Sequence, residues 1–308
     1  MKNSFVGQRA AGDLDAQVQK VLRGLGNPTP PLYLRDVRAL QKLDLHYFSA
    51  TDDSALRETV SRMKIAGKQI FQRPALLLDA VRTAELKALW LPDHRRILLD
   101  QDEPELKHRW NEGHEIGHSL APWHQLYLFG DNAETLLPTC HETLENEANY
   151  TCGQLLFLGS RFAEEASELE QTIDTICGLS KEFGNTITST LWRFVEEGHR
   201  GQPMVGIVSQ HPHHTKADFD PADPCRYCVE SPQFKERFGT VTELQLFALV
   251  KDYCSRARGG PLGRSQALLL DRNGDRHEFV FESFSNTHQV LTLGVYAKPA
   301  HKVISVLR

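Results

Sequence analysis

The sequence lacks long apolar runs, and it lacks an excess of positive charge. Within its 308 residues, no stretch approaches the roughly 18 consecutive apolar residues of a membrane-spanning helix. Residues 1–17 have no apolar central run of the kind found in secretory signals. The net charge is −5, so any nucleic acid would have to bind to a local basic patch. These absences predict a cytoplasmic protein that does not act at a membrane.

Cysteine is also scarce. The six cysteines are spread along the chain without the dense spacing of a disulfide framework, and reduced thiols are therefore expected. Apolar residues make up 40% of the chain and charged residues 24%, which are ordinary proportions for a globular protein with a sizeable core. At about 150 residues per domain, the length predicts two domains.

The apolar periodicity predicts an α+β fold that changes near residue 200 from mainly helical to mainly strand-like segments. Before that point, helical spacing covers residues 13–25, 34–48, 52–72, 139–158, 160–176 and 186–198, and strand-like runs cover 74–81 and a hairpin at 88–100. After it, strand-like runs cover 204–208, 266–270, 277–281 and 289–296, with one helix near 241–256. Asn273-Gly274 lies between two of these strands and predicts a tight hairpin turn.

A further helix is predicted directly after the 88–100 hairpin. We expect Asp102 to be its N-cap, with Pro104 in its first turn, and expect it to end before Pro122. The next helix is expected to begin at Thr139, because Glu142 three residues later completes a capping box.

The helix before Pro122 carries the motif with the clearest chemistry, His114-Glu115-Ile-Gly-His118. Two histidines four apart lie on one helix face, so both imidazoles can reach one zinc ion. Glu115 lies beside them, where a carboxylate can take the proton of a zinc-activated water. Gly113 and Gly117 each cost helix stability, which indicates that another segment approaches the backbone closely. The alternative is a surface helix that carries two histidines by chance.

A catalytic zinc ion needs a third protein ligand, and three residues compete for this role. His124 lies six residues after His118, but Ala121 occupies the position where metzincin peptidases have a turn glycine. Glu145 lies at the edge of an apolar stripe on the following helix, whereas Glu147 is expected to point away from the site. The pattern favours Glu145 over His124 and leaves both open.

Two segments together resemble the ImmA/IrrE family of metallo-endopeptidases. They are Arg109-Trp-Asn-Glu-Gly-His-Glu-Ile-Gly-His118, and Glu145-Asn-Glu-Ala-Asn149 followed by Gln154-Leu-Leu-Phe157. The resemblance covers residues 55–160 and extends loosely over 165–200. The sequence departs from the family by Gly113, where alanine is usual, and by a longer loop before Glu145.

The resemblance implies a fold, a site and a substrate. It implies a zincin-like metallopeptidase domain at 1–160, a helix-turn-helix-like connector at 161–200, and a C-terminal regulatory domain at 201–308, GAF-like in some members. It also implies that His114, His118 and Glu145 bind one catalytic Zn²⁺, that Glu115 is the general base, and that Asn149 supports the site. Family members cleave helix-turn-helix repressors in stress, DNA-damage or phage-related responses, so the expected partner is such a protein.

Cys140 and His141 begin the helix that carries Glu145, and each suggests a hypothesis. A thiol at a helix N-terminus has a lowered pKa, so Cys140 is a candidate for the open zinc position in a latent enzyme. His141 shares the face of Glu145 and is a candidate donor to the oxyanion of the transition state. The simpler alternatives are a semi-buried cysteine and an exposed histidine.

Two C-terminal features are weaker. Cys225-Arg-Tyr-Cys228 and the histidines in 211–214 are candidates for a structural zinc site, although a polar loop with reduced thiols is favoured. A basic stretch around Tyr253 makes this domain the expected place for a small-molecule or single-stranded nucleic-acid effector. Its cations are Lys251, Arg256, Arg258, Arg264, Arg272 and Arg276.

Residues 172–197 resemble a helix-turn-helix sequence. Their few cations are opposed by glutamates, so a role in packing within the protein is favoured over DNA binding. A DNA-binding transcription factor therefore remains one alternative function. A non-catalytic regulator that uses zinc only as a structural element is the other.

Overall fold

The computed structural model describes residues 6–48, 88–91, 95–124, 138–217 and 219–300. The chain divides into two compact units, Phe5–Ser160 and Arg161–Arg308, so residues 161–200 belong to the same unit as 201–308. Both units combine helices with a sheet, which makes the fold α+β. In the described ranges, no helix has the length and apolar character needed to cross a bilayer.

The N-terminal unit is a small mixed sheet with four helices among its described residues. Its elements are α1 (Gln8–Gly24), α2 (Leu34–Gln41), β1 (Asp44–Phe48), β2 (Ala88–Leu91), β3 (Arg96–Asp100), α3 (Glu105–Leu120) and α4 (Pro138–Leu156). The strand order is β1-β3-β2, with β1 parallel and β2 antiparallel to β3. Ile97, Leu98 and Leu99 of the central strand are fully buried, as expected for a strand covered on both faces. Helix α3 packs against β2, β3 and α4.

The predicted 88–100 hairpin and the predicted helix at 139–158 are confirmed, but two other expectations for this unit are wrong. Helix α2 ends at Gln41, because Lys42 adopts a left-handed conformation and the chain then pairs with β3 as strand β1. The N-cap of α3 is Pro104 and not Asp102. Helix α4 spans Pro138–Leu156, and it begins one residue before the predicted start at Thr139. The predicted elements at 52–72 and 74–81 lie outside the described residues.

The C-terminal unit is a five-stranded antiparallel sheet with helices on both faces. Its elements are α5 (Arg161–Ser167), α6 (Ile173–Phe183), α7 (Ile187–Arg193), a π-helical turn (Phe194–Gly198), β4 (Met204–Ser209), β5 (Cys225–Glu230), α8 (Pro232–Phe238), α9 (Glu243–Tyr253), β6 (Gly260–Leu270), β7 (Arg276–Ser285) and β8 (Val290–Pro299). The strand order is β5-β4-β8-β7-β6.

Apolar side chains from α8 and α9 cover one face of this sheet. Phe234 and Phe238 of α8 and Leu246 of α9 join Phe279 and Phe281 of β7 in a buried cluster. On the other face, Leu191 and Val195 approach the backbone of β4 at Gly206, where a Cβ atom would lie 3.1 Å from the Val195 side chain. Burial of both faces accounts for the nearly continuous apolar run of β4.

The Asn273-Gly274 turn is confirmed between β6 and β7. Gly274 has a φ of 80°, and the Asp271 carboxylate accepts hydrogen bonds from the backbone N–H groups of Asn273 and Asp275. Strand β5 and helix α8 were not predicted, because Cys225–Glu230 has no clear alternation and Pro232–Phe238 spans only two turns.

Candidate metal centre

Two glycines bring α3 and α4 into close contact. A Cβ atom on Gly117 would lie 2.6 Å from the backbone oxygen of Ala148, and one on Gly113 would lie 2.9 Å from the Cys152 sulfur. Both separations are shorter than real Cβ contacts, so a larger residue at 117 would push the helices apart and one at 113 would displace the Cys152 side chain. The predicted close approach is confirmed, and the approaching segment is α4. Gly113 lies at the point where Cys152 needs space.

The close helices bring two histidines and a carboxylate together. The Nε2 atoms of His114 and His118 lie 3.2 Å apart. The carboxylate of Glu145 places one oxygen 3.1 Å from His114 Nε2 and the other 3.4 Å from His118 Nε2. The three residues can hold a metal ion, since one ligand atom from each lies within 4.8 Å of the others.

These separations fit the dimensions of a zinc site. Ligand atoms at about 2.0–2.1 Å from a tetrahedral zinc lie about 3.3–3.4 Å from one another. The observed contacts of 3.1, 3.2 and 3.4 Å are close to those edges, with a different oxygen of Glu145 facing each histidine. The Glu145 side chain is 41% exposed, so the ligand triangle is accessible to solvent on its side. Three protein ligands with an accessible fourth position are typical of catalytic zinc.

Each histidine of the triangle is oriented by a hydrogen bond at its other nitrogen. His114 Nδ1 lies 3.1 Å from Asn149 Oδ1, which can only accept, so this nitrogen carries the proton. In the neutral ring the lone pair of His114 is therefore on Nε2, which faces Glu145, whereas the protonated ring donates to Glu145 from the same nitrogen. A partner of this kind at the second nitrogen is a common feature of metal-ligating histidines.

The orientation of His118 depends on a buried chain of hydrogen bonds. His118 Nδ1 lies 2.9 Å from His124 Nδ1, and His124 Nε2 lies 2.8 Å from the Glu147 carboxylate. The same carboxylate oxygen accepts a hydrogen bond from Trp123 Nε1 at 2.6 Å. Because a carboxylate only accepts, His124 donates through Nε2 and accepts through Nδ1. His118 must then donate through Nδ1, which leaves its Nε2 lone pair for a metal.

This chain assigns different positions to the competing third ligands. Glu145 lies in the triangle, whereas His124 contacts the nitrogen of His118 that faces away from it. Glu147 does point away from the triangle, but it is buried and not solvent-exposed. The sequence carried a signal for this burial, because Glu147 lies three residues after Leu144 and four before Thr151, on the same helix face.

Glu115 is buried beside the triangle. Its residue is 6% exposed, and the backbone N–H of Trp90 on β2 donates a hydrogen bond to its carboxylate. Burial raises the pKa of Glu115 to about 7, and His114 opposes this rise while Glu145 adds to it. A buried carboxyl group with a pKa near neutrality is typical of acid–base catalysts.

The ligand residues have shifted pKa values of their own. Burial disfavours the ionised form of Glu145, but hydrogen bonds to His114 and His118 outweigh it and lower its pKa. Burial opposes protonation of His114 as well, yet the hydrogen bond to Glu145 and the nearby carboxylates raise its pKa. Burial lowers the pKa of His124 to about 4, which agrees with a neutral ring in the hydrogen-bonded chain.

Cys140 and His141 lie in the first turns of α4. Their side chains are outside the part of the chain that the structure describes. The hypotheses of a latent-state zinc ligand and of an oxyanion donor therefore stay predictions.

The cysteine pair and the nearby histidines do not form a second metal site. Cys225 and Cys228 lie on strand β5, and not in a loop as expected. The histidine side chains of 211–214 instead bond to backbone carbonyl groups of residues 254–257. Among the described residues, only the triangle on α3 and α4 gathers three metal-ligating side chains.

The helix-turn-helix-like segment at 172–197 contains α6 and α7, which are joined at Gly184 with a φ of 65°. Arg193 is 6% exposed and pairs with Glu197 at 2.7 Å, so it does not present its charge to a phosphate backbone. In the basic stretch, Arg264 pairs with Glu282 and the Tyr253 hydroxyl bonds to Ser283. That aromatic ring is thus held by the sheet.

Comparison with known proteins adds a fold relationship. No protein-family model matches the sequence, and no curated protein is significantly similar to it. A solved structure described as a Mycobacterium tuberculosis transcriptional regulator is similar, with a TM-score of 0.52 and 13% sequence identity. The match covers 96% of this chain and 92% of that one. At this identity the likeness concerns the fold alone, and the chain shares that α+β fold over nearly its whole length.

Proposed function

We propose that the protein is a zinc-dependent endopeptidase. The observation that carries this proposal is the triangle of His114, His118 and Glu145, with Glu115 buried beside it on the same helix. The ligand set, its spacing and its accessible side support a catalytic zinc site. The resemblance to ImmA/IrrE endopeptidases, drawn from the same residues, points to the same chemistry.

Each residue has a defined task in this proposal. His114, His118 and Glu145 would hold the zinc ion, which when bound supplies Lewis-acid polarisation of a carbonyl and activation of water. Glu115 accepts a proton from the attacking water and returns it to the amine that leaves. Asn149 and His124 keep the two imidazoles in the tautomer that offers Nε2 to the metal.

A peptide substrate fits the surroundings of Glu115. Strand β2 is an outer strand of the described sheet, and its Trp90 N–H reaches the Glu115 carboxylate. An extended peptide aligned along such a strand would pass beside this carboxylate. We propose a helix-turn-helix repressor as the substrate class, on the family resemblance, with the C-terminal unit as the regulatory part.

The test combines metal analysis with cleavage. Purified protein should contain one zinc per chain and cleave a candidate repressor or members of a peptide library. Glu115→Gln should retain zinc but lose about 10²- to 10⁴-fold in cleavage rate, the usual contribution of a general base. Glu142→Gln is a matched control, because Glu142 is exposed on α4. Full cleavage by Glu115→Gln would refute the assignment of the base, and a protein that binds no zinc would refute the proposal.

A regulator without peptidase activity is the second candidate. The observation that favours it is the fold likeness to the Mycobacterium tuberculosis transcriptional regulator. In that case the biological effect would survive Glu115→Gln, and the purified chain would bind duplex DNA with a strong salt dependence. The partnered Arg193 weakens the DNA-binding version of this candidate.

A further inference from the structure

A cavity of about 540 Å³ lies in the C-terminal unit, at one end of its sheet. It is formed where three segments meet: the loop after β4, the segment after α9, and the hairpin between β7 and β8. Its size is within the range of small-molecule sites, about 300–1,000 Å³, and is larger than a single phosphate ion requires.

The lining of this cavity is entirely polar and carries only positive formal charge. It consists of four histidines, Lys216, Arg258 and five uncharged polar residues, with no carboxylate and no aliphatic residue among them. Small-molecule sites are usually lined mainly by apolar side chains, so this composition is unusual. Neither Lys216 nor Arg258 has an ion-pair partner within the described ranges. Such a lining favours an anion and disfavours an apolar ligand.

The histidines hold the cavity walls together through their Nε2 atoms. His211, His213 and His214 donate to the backbone oxygens of residues 257, 254 and 256 at 2.9, 3.0 and 2.8 Å. His211 Nδ1 also accepts a hydrogen bond from the His213 backbone N–H at 3.1 Å. Since carbonyl oxygens only accept, these three Nε2 atoms carry protons and are not metal ligands.

The backbone at the two cationic residues is held by the same framework. The backbone N–H of Lys216 donates to Gln210 Oε1 at 2.8 Å, which closes the loop after β4. The Ser285 hydroxyl donates to the backbone oxygen of Arg258 at 3.1 Å and accepts from the Thr287 backbone N–H. Both loops are therefore ordered before a ligand arrives, which lowers the entropic cost of binding.

We propose that this cavity binds a small molecule with two or more phosphate groups. A lysine ammonium and an arginine guanidinium, the latter able to bind phosphate oxygens bidentately, are the usual phosphate-binding pair. Serine, threonine and glutamine side chains supply neutral hydrogen bonds, and the volume accommodates a diphosphate together with part of an attached group. Inorganic diphosphate and the phosphate end of a nucleotide share this chemistry.

Isothermal titration of the full chain tests the proposal with inorganic phosphate, inorganic diphosphate and ATP as probes. Diphosphate should bind one-to-one and more tightly than phosphate. Tighter binding of ATP than of diphosphate would identify a nucleotide as the source of the phosphates, and equal binding would identify the free anion. The double variant Lys216→Gln, Arg258→Gln should bind diphosphate at least tenfold more weakly.

The matched control is Lys251→Gln, Arg276→Gln, which removes the same charge from exposed positions outside the cavity of the same unit. It should bind diphosphate as the wild type does. No saturable binding, equal loss in both double variants, or binding of a single-stranded oligonucleotide alone would overturn the proposal. Because the measurement is of binding, it is independent of whether the protein is a peptidase.

Discussion

Histidines gather in two regions of this protein, and their ring nitrogens face different partners. On α3 and α4, side chains occupy the Nδ1 atoms of His114 and His118, and the Nε2 atoms converge on Glu145. In the C-terminal cavity, backbone carbonyl groups occupy the Nε2 atoms of His213 and His214. In the first arrangement the distal nitrogen, Nε2, faces Glu145, while in the second Nε2 is bonded to the backbone.

The number of nearby histidines therefore does not decide whether they bind a metal. The partner of the second ring nitrogen decides it, because that partner selects the tautomer and the direction of the free lone pair. Close packing of α3 against α4 then brings the selected nitrogens within reach of one carboxylate. The cavity histidines instead connect two loops through hydrogen bonds to backbone oxygens.

The largest expected effect concerns zinc affinity. His118→Ala should lower it by more than about 100-fold, because removal of a ligand costs more than the 10- to 100-fold of a supporting residue. His213→Ala should leave affinity and the one-to-one stoichiometry unchanged. Competition with a chromophoric chelator measures both. Loss of a zinc equivalent in His213→Ala would break the comparison between the two regions.

Removal of the buried carboxylate that anchors His124 should have the next largest effect. Glu147→Gln retains the side-chain volume but weakens the acceptor that fixes the His118 tautomer, so zinc affinity should fall about 10- to 100-fold. Glu142→Gln on the same helix should have no effect. The same chelator titration applies, and thermal unfolding of the zinc-free variant shows whether the fold is intact. An unchanged affinity would contradict the proposed role of the chain.

Helix packing gives a smaller expected effect on stability. Gly117→Ala should lower the free energy of unfolding by about 1–3 kcal/mol, because its Cβ would meet the rigid backbone at Ala148. Gly153→Ala on α4 is the control. No atom lies within 4 Å of its Cβ position, so this variant should gain about 1 kcal/mol from helix propensity. Urea unfolding measures both, and a stabilised Gly117→Ala would show that the helices are not in close contact.

The smallest expected effect is that of zinc on the alkylation rate of the two cysteine thiols of β5. Burial raises the pKa of Cys225 to about 12 and also raises that of Cys228, so alkylation by iodoacetamide should be slow at pH 8. The rate should rise about tenfold per pH unit, in proportion to the thiolate fraction. Saturating zinc should leave the rate unchanged, as mass spectrometry can follow. Protection by zinc would show that the cysteine pair binds metal after all.

Several features of the site could be predicted from short-range sequence patterns. The four-residue spacing of His114 and His118 places both on one face of a helix wherever that helix lies. Gly113 and Gly117 indicated a close neighbour, because glycine inside a helix is otherwise unfavourable. The α+β class and the Asn273-Gly274 turn followed from periodicity and turn chemistry in the same way.

The remaining features depend on distant parts of the chain. Residues 44–48 read as helix by local pattern, but pairing with β3 makes them a strand. The competition between Glu145 and His124 could not be decided from spacing, since it depends on how the chain returns from α3 to α4. The cavity also combines segments more than 40 residues apart, from the loop after β4 to Arg258 and the β7–β8 hairpin.

Local sequence is enough to identify which side chains can carry the chemistry, because helix periodicity and residue type are local properties. What each of these side chains faces depends on the packing of distant segments. Glu145 meets the histidine pair, and Glu147 meets His124, since two glycines let α3 and α4 pack at backbone contact. The direction of an imidazole lone pair is set by the group bonded to its other nitrogen. In both histidine-rich regions that group comes from another segment of the chain.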